Sequence, residues 1–306
     1  MKNLKVSVVI PAYNEEKVIA ECIETLLAQT YPEKEIIIID DGSSDKTVEI
    51  IKSYPVKLLQ QNHMGPGAAR NLGAAQAKGK ILVFVDADMT FDKKFIFELV
   101  KPINLGKAKG TSSREEYVKN WNNVWARCWN INEGWAPKRR HRIGRGSALK
   151  EFYDFIAFAA TRRTFSLHKF AEYQGLQVTS IFRAILKSEF ERVGGYTPGG
   201  YTDDYSLAAK LGYKSMETEA KFYHNNPSTL GEIFKQARWI GKRSYKFGFL
   251  GFLFALFRSS FPVSFVTGIV KSLKNLEPRF LIFKLVYDGG VFLGIANYII
   301  SKKGSK

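Results

Sequence analysis

The first hundred residues alternate between short apolar runs and stretches whose apolar positions recur at helical spacing. Val6 to Ile10, Glu35 to Asp40, Val56 to Gln60 and Ile81 to Val85 read as strands; Glu15 to Ala28, Asp45 to Ser53 and Pro66 to Lys78 read as helices. That βαβαβαβ order predicts a parallel sheet covered by helices on both faces, with ligands gathering at the carboxyl ends of the strands. The polar clusters fall at those ends, in Pro11 to Glu15, Asp40 to Asp45 and Asp86 to Asp88.

Beyond Gly106 the pattern loses its period. Residues 106 to about 174 are rich in Trp, Arg and Lys and read as an insertion. Gly175 to Lys187 is expected to return to the sheet, Ser188 to Val193 to form a short helix, and Gly194 to Gly200 a glycine-rich turn. A helix over Asp203 to Leu211, a strand near Tyr213 to Glu217 and a helix over Leu230 to Phe247 follow. The expected division is an α/β domain over residues 1–228 and a helical region over 229–306.

The tail raises a membrane question. Phe247 to Val270 is long enough to cross about 30 Å of hydrocarbon, but Arg258 and Pro262 interrupt it, and Phe280 to Ile300 carries Lys284 and Asp288. Two spans would also export Lys271, Lys274 and Arg279 in one loop, against the positive-inside tendency. Helices lying in the membrane interface are favoured over true spans or a plain core or oligomer surface.

Charge sharpens this reading. The net charge is +17, and from Lys221 onward fourteen Lys or Arg face only Glu232, Glu277 and Asp288, a net of +11 over 86 residues. A basic tail that also holds the longest apolar runs suits an anionic membrane surface, with no nucleic acid as partner. Cys22 and Cys128 lack metal-type spacing, which suits a reducing cytosol and gives no zinc site or disulfide framework. Met1 to Ile10 reads as a strand rather than a signal peptide, so the cytoplasmic side of a membrane is the expected location. Oligomeric state is not legible.

Val85-Asp86-Ala87-Asp88 ends an apolar strand with two carboxylates, hard oxygen ligands that suit Mg²⁺ or Mn²⁺. Asp40-Asp41-Gly42-Ser43-Ser44-Asp45 ends another. Asp45 is explained by helix capping, whereas neighbouring carboxylates at Asp40 and Asp41 need a use, such as accepting a base N–H. Pro11-Ala12-Tyr13-Asn14-Glu15-Glu16 offers a ring and carboxylates to a nucleobase, or simply an acidic helix start. Gly65 to Asn71 opens a helix whose N–H groups and Arg70 can face phosphate, although helix-start chemistry alone accounts for Gly and Pro there. Lys138-Arg139-Arg140-His141-Arg142 and Arg145 form a basic run, preceded by Trp121, Trp125 and Trp129 at the spacing of one helix face. That face is core or part of an acceptor groove.

Together, Ser7 to Glu16, Asp40 to Asp45, Gly67 to Gly73 and Asp86-Ala87-Asp88 resemble, in order and spacing, the family 2 glycosyltransferases of GT-A fold. The resemblance is strong over about residues 5–100 and resumes around Phe182 to Tyr213. It implies a Rossmann-like, mostly parallel α/β sheet, here with a C-terminal membrane-associated helical segment, and an inverting hexosyltransferase. Such an enzyme takes a UDP- or GDP-sugar donor, uses Mg²⁺ or Mn²⁺, and works on a lipid-linked or membrane-proximal glycan acceptor in polysaccharide or glycolipid synthesis.

The implied donor-binding residues are Pro11, Ala12, Tyr13, Glu15, Asp40, Asp41, Arg70 and Asp86. Asp88, Asp86 and His224 are the implied metal ligands. Tyr201-Thr202-Asp203-Asp204 stands where relatives carry a Glu-Asp pair, making Asp204 the base and Asp203 its neighbour; helix capping explains Asp204 as well. Lys235-Gln236-Ala237-Arg238-Trp239 resembles a Gln-x-x-Arg-Trp motif, with Lys235 in place of Gln. This implies Arg238 on the diphosphate and Trp239 and Tyr201 on the acceptor, and it argues against processive synthesis. The competing classes are a sugar-nucleotide nucleotidyltransferase, which the first loop disfavours for want of a Gly-rich Arg- and Lys-bearing signature, and a non-catalytic membrane-binding module.

Overall fold

A computed structural model describes residues 3–134, 181–197, 203–241 and 248–301, the side chains at 203–205, 248–250 and 301 excepted. The chain divides into two compact units. Among the described residues, the first comprises 3–117, 181–197 and 203–224, and the second 118–134, 225–241 and 248–301.

In the first unit four parallel strands come early: β1 (Val6–Ala12), β2 (Lys34–Asp40), β3 (Lys57–Gln60) and β4 (Ile81–Phe84). Strands β1, β2 and β4 read as near-continuous apolar runs because both faces are covered, whereas β3, at the sheet edge, is only partly buried. Val6, Val8, Ile10, Ile36, Ile38, Ile81 and Val83 face α1 (Ile19–Leu27), α2 (Thr47–Lys52) and α4 (Phe95–Asn104). Val9, Ile37, Ile39, Leu82 and Phe84 face the other way, onto α3 (Pro66–Ala75), α6 (Lys187–Arg192) and α7 (Asp203–Leu211). Helix α3 lies close against the sheet, since a Cβ at Gly73 would stand 2.5 Å from both Ile39 Cδ1 and Val9 Cγ1.

The sheet runs β3-β2-β1-β4-β8-β6-β9, with β6 (Gly110–Ser113), β8 (Ala184–Leu186) and β9 (Met216–Thr218). It is mostly parallel, but β8 is antiparallel to both β4 and β6. Two expectations change here. The segment read as an insertion from Gly106 contributes β6 to the main sheet, and three-residue strands form where none was expected. Of these, β5 (Met89–Phe91), β10 (Phe222–His224) and β7 (Glu116–Val118) make a second sheet in the order β5-β10-β7. The helix expected from Glu15 begins only at Ile19, because Asn14 takes a left-handed φ of 56° and Glu15 to Val18 form a turn.

The second unit is helical: α5 (Val124–Glu133), α8 (Leu230–Gly241), α9 (Gly248–Arg258), α10 (Phe261–Asn275) and α11 (Phe280–Ser301). Asn123 caps α5 by accepting from Trp125 N at 2.9 Å and Ala126 N at 3.1 Å. Trp121 therefore precedes the helix, and the three tryptophans do not share one helical face. Trp129 is core, edge-on to Tyr287 and Phe283. Helices α8 and α11 cross at backbone distance, where a Cβ at Gly294 would meet Arg238 O at 2.1 Å and one at Gly290 would meet Phe234 O at 2.8 Å.

Helices α9 and α10 are bent by 55° at their break, just before Pro262. Among the described residues α11 alone is long and apolar enough to cross a membrane, or two elements are if the bent pair is one span; half of the α11 window is buried within the protein. Its two interior charges pair one turn apart: Lys284 Nζ lies 2.8 Å from Asp288 Oδ2, which also accepts from Ser264 Oγ at 2.6 Å.

Candidate active site

The carboxyl ends of β1, β2, β3 and β4 carry the polar clusters, and hydrogen bonds lace their loops together. Pro11 and Ala12 pair with Ile39 and Asp40 in parallel register, and Asp41 N donates to Ala12 O at 2.8 Å. The left-handed turn at Asn14 lets its side chain accept from Ser44 N at 2.8 Å, while Glu15 N donates to Thr47 Oγ1 at 2.8 Å. Glu16 N donates to Asp45 Oδ2 and Lys46 N to Glu16 Oε2. The β1 and β2 loops thus form one rigid edge.

Asp40 Oδ1 accepts from Ser43 N at 3.2 Å. Asp41 is buried and turns to the β3–α3 loop, accepting from Gln61 Nε2, Met64 N and Gly65 N and lying 2.9 Å from His63 Nδ1. Tyr13 is exposed, with His63 stacked on it at 4.2 Å.

Asp86 follows β4 and is gripped by two cations. Arg70 Nη2 donates to Oδ1 at 2.6 Å and Arg183 Nη1 to Oδ2 at 3.4 Å. Burial pushes the Asp86 carboxyl up, but Arg70 and Arg183 outweigh it and hold the group well below the usual carboxylate range. Arg70, expected near the nucleotide, is itself buried and lies over the Tyr196 ring at 5.5 Å. Arg183 had no motif to mark it. The signal was a lone arginine inside the apolar run Ile181 to Leu186, where a partly buried charge needs a partner.

Asp88 sits beside β5, and because Met89 pairs with His224 across the β5–β10 ladder, His224 Nε2 comes to 3.2 Å from Asp88 Oδ1. Glu15 shares this acidic corner. Burial, then the carboxylates of Asp88, Asp86 and Asp45, push its pKa up to about 7, with His224 working the other way.

The expected trio Asp86, Asp88 and His224 does not converge, since Asp86 turns to its arginines. Among the described residues no group of three or more His, Cys, Asp or Glu side chains surrounds one cation position. Asp88 and His224 offer two ligands in a corner whose carboxylates oppose the ionisation of Glu15. That partial set fits a Mg²⁺ or Mn²⁺ ion that fills its shell with phosphate oxygens and water.

Asp203 and Asp204 open α7, whose Leu207, Ala208 and Leu211 pack into the apolar cluster that holds Phe84 and Tyr196. Tyr196 and Thr197 are tied down: Asn71 Nδ2 donates to Tyr196 O and Asn71 Oδ1 accepts from Tyr196 N, each at 2.9 Å, and Thr197 N donates to Ser206 Oγ at 2.9 Å. Tyr201 and the basic run from Lys138 to Arg145 lie outside the described residues. Arg238 and Trp239 belong to α8 in the helical unit; Trp239 is exposed, and Arg238 Nη2 donates to the Asn297 amide oxygen at 2.8 Å in the amide orientation that satisfies both groups.

The α/β unit has the GT-A fold, and the sequence profile described as "Glycosyl transferase family 2" matches residues 7–170. The chain belongs to that family. A stretch of 126 residues, 36% of this chain, is 37% identical to 22% of the poly(ribitol-phosphate) β-N-acetylglucosaminyltransferase TarS of Staphylococcus aureus. Another of 89 residues, 28% of this chain, is 49% identical to 26% of the uncharacterized glycosyltransferase YibD of Escherichia coli. The matches thus span about a quarter of these curated relatives' lengths. Among solved structures, the mannosyltransferase PcManGT of Pyrobaculum calidifontis, in complex with GDP-Man and Mn²⁺, is similar in fold with a TM-score of 0.55 at 15% identity, covering 99% of this chain and 89% of that one.

Proposed function

We propose that the protein is an inverting, metal-dependent glycosyltransferase that moves a hexosyl unit from a UDP- or GDP-sugar to a lipid-linked or membrane-proximal acceptor. The observation that carries this reading is the division of labour after β4: Asp86 held ionised between Arg70 and Arg183, and Asp88 beside His224. An ionised, oriented Asp86 accepts the ribose hydroxyls. Asp88 and His224 would hold the divalent ion, which when bound offsets the charge of the leaving diphosphate. Pro11, Ala12, Tyr13, Glu15 and Asp40 wall the nucleoside side, where Asp41 acts through the 61–65 loop it bonds and Arg70 through Asp86. Asp204, with Asp203 beside it, takes the acceptor proton as the anomeric carbon is attacked opposite the leaving phosphate. No enzymic nucleophile is needed. Arg238 for the diphosphate, and Trp239 and Tyr201 for the acceptor, rest on the motif alone.

The helical unit supports a membrane surface as the site of action. Phe257, Phe261, Val266, Val270, Leu273 and Leu276 are exposed along α9, α10 and the turn that follows, beside the exposed Arg258, Lys274 and Arg279. An apolar face with a cationic margin suits the interface of an anionic leaflet, here on the cytoplasmic side. TarS is named for a poly(ribitol-phosphate) acceptor, so an anionic phosphate polymer is the competing acceptor for a chain of net charge +17.

The test is a thermal-shift screen of UDP- and GDP-sugars with and without Mn²⁺, followed by mass detection of products on polyprenyl phosphate and on poly(ribitol phosphate). A donor at a hundred times its Kd stabilises the fold by about 2.7 kcal/mol. A melting temperature that no nucleotide moves, with or without metal, removes this reading.

A further inference from the structure

The two neighbouring acids Asp40 and Asp41 do different work, and the difference moves the nucleobase platform to a residue that no motif marks. A carboxylate has about four lone-pair sites. In Asp41 they are filled by one five-residue loop: Oδ1 accepts from Gln61 Nε2 at 2.6 Å and Met64 N at 2.9 Å, while Oδ2 accepts from Gly65 N at 2.9 Å and lies 2.9 Å from His63 Nδ1. The buried Asp41 carboxylate is therefore spent on shaping residues 61–65. Gly42 serves the same end: at φ 83° it passes beneath the loop, and a Cβ there would stand 3.1 Å from His63 N.

What the loop presents is the His63 ring. One edge is fixed by Asp41 and one face is covered by Tyr13, at 4.2 Å between centroids and 28° between planes. Its side chain nonetheless stays 46% exposed. Tyr13, the ring expected to carry the base, has lost a face to His63. The loops after β1, β2 and β3 lie in order along the same sheet edge as Asp86 after β4, so a nucleotide with its ribose at Asp86 runs its base toward them.

Resting on the donor reading above, we infer that His63 is a specificity-determining residue, the stacking platform for the nucleobase of a nucleoside diphosphate, and that Asp41 is the residue that positions it. Neither touches the reacting atoms, so the assignment predicts a defect confined to base recognition.

Calorimetric titration of the full chain with UDP, GDP and base-free pyrophosphate, all with saturating Mn²⁺, tests this on wild type, His63→Ala and His63→Phe. Aromatic–base stacking lost by alanine substitution predicts about ten- to a hundredfold weaker UDP or GDP binding in His63→Ala. Pyrophosphate affinity stays within about twofold of wild type, and His63→Phe, which keeps a ring, recovers most of the nucleotide affinity. Wild-type nucleotide affinity in His63→Ala overturns the inference, as does a parallel loss of pyrophosphate, which would mark a collapsed loop. A wild-type protein that binds neither nucleotide fails at the earlier step, removing the donor reading and this inference with it.

Discussion

The α/β unit and the helical unit are stabilised in opposite ways. At the carboxyl edge of the sheet, order comes from side chains that bond backbone groups about thirty residues away, as Asn14 does to Ser44 and Glu16 to Lys46. Among the described residues of the helical unit it comes chiefly from backbones in near contact at Gly290 and Gly294 and from the buried Lys284–Asp288 ion pair. The loops hold many separate polar contacts, each replaceable at modest cost to the fold. In the helices the close backbone crossing and the Lys284–Asp288 pair leave little room for substitution. Substitutions in the first region should therefore weigh more on chemistry than on stability, and those in the second should do the reverse.

The largest effect belongs to the first class. Asp204→Asn should lower transfer by about 10²- to 10⁴-fold, the range for a lost general base, with melting temperature and donor affinity close to wild type. Single-turnover rates beside UDP titration would show this split. A rate within threefold or so of wild type would take the base assignment away from Asp204.

Next comes the ion pair. Asp288→Ala leaves Lys284 charged and buried, with Ser264 short of its acceptor, and should cost about 3–5 kcal/mol of unfolding free energy. Replacing both charges together, by Lys284→Met with Asp288→Leu, should recover most of that loss, because two well-packed apolar chains do not have to be desolvated as ions. Urea unfolding of the three proteins in detergent and in aqueous buffer decides it. Equal losses in the single and double variants would mean that packing, not charge, holds this helix.

How much of this was legible in the sequence follows the same division. The strands β1, β2 and β4 could be read because buried parallel strands are continuous apolar runs, β3 from its place in the alternation of strands and helices, and the acids after β2 and β4 because a polar cluster after such a run has few structural reasons to exist. Strand β6 could not: Gly110-Thr111-Ser112-Ser113 is polar, and it is buried between β8 and β9 with Thr111 Oγ1 donating to Leu99 O and Ser215 Oγ to Ser112 Oγ, partners that lie far off in the sequence. The three-residue strands β5, β7 and β10 are too short to carry a period and exist through their partners. The pairing of Asp88 with His224 depends on that second sheet, so the motif named both residues while the geometry that joins them stayed hidden. In the tail, Lys284 and Asp288 read as two separate costs of burial; one turn of helix makes them a single neutral unit.

The helical unit offers its own internal comparison at smaller scale. Gly294→Ala puts a methyl 2.1 Å from Arg238 O, where only backbone can yield, and should cost about 1–3 kcal/mol by overpacking. Gly289, on the same helix, has nothing within 4 Å of its missing Cβ, and Gly289→Ala should be neutral or stabilising by up to about 1 kcal/mol through helix propensity. Thermal melts of the pair measure the difference. Equal effects would show that α8 and α11 do not cross where Gly290 and Gly294 place them.

The smallest effect is the one most diagnostic of the acidic corner. Burial and the carboxylates of Asp88, Asp86 and Asp45 raise Glu15 from 4.5 to about 7, so between these values the folded protein holds a proton that the unfolded chain has released. Stability tied to Glu15 is thus greatest at low pH and falls as pH rises through about 4.5 to 7, with the full penalty present above that window. Glu15→Gln removes the charge and keeps the shape. It should match wild type near pH 4 and exceed it near pH 8 by about 1–2 kcal/mol, the full linkage value being discounted for the solvent that reaches this partly exposed group. Saturating Mn²⁺ with UDP should narrow the gap near pH 8, because a cation at Asp88 offsets the charges that oppose Glu15 ionisation. Urea unfolding across this pH range, with and without the metal and nucleotide, supplies both numbers. A gap that is flat with pH would assign the effect of Glu15→Gln to packing, and a gap indifferent to Mn²⁺ would move the cation away from Asp88 and His224 while leaving the arginine grip on Asp86 as it stands.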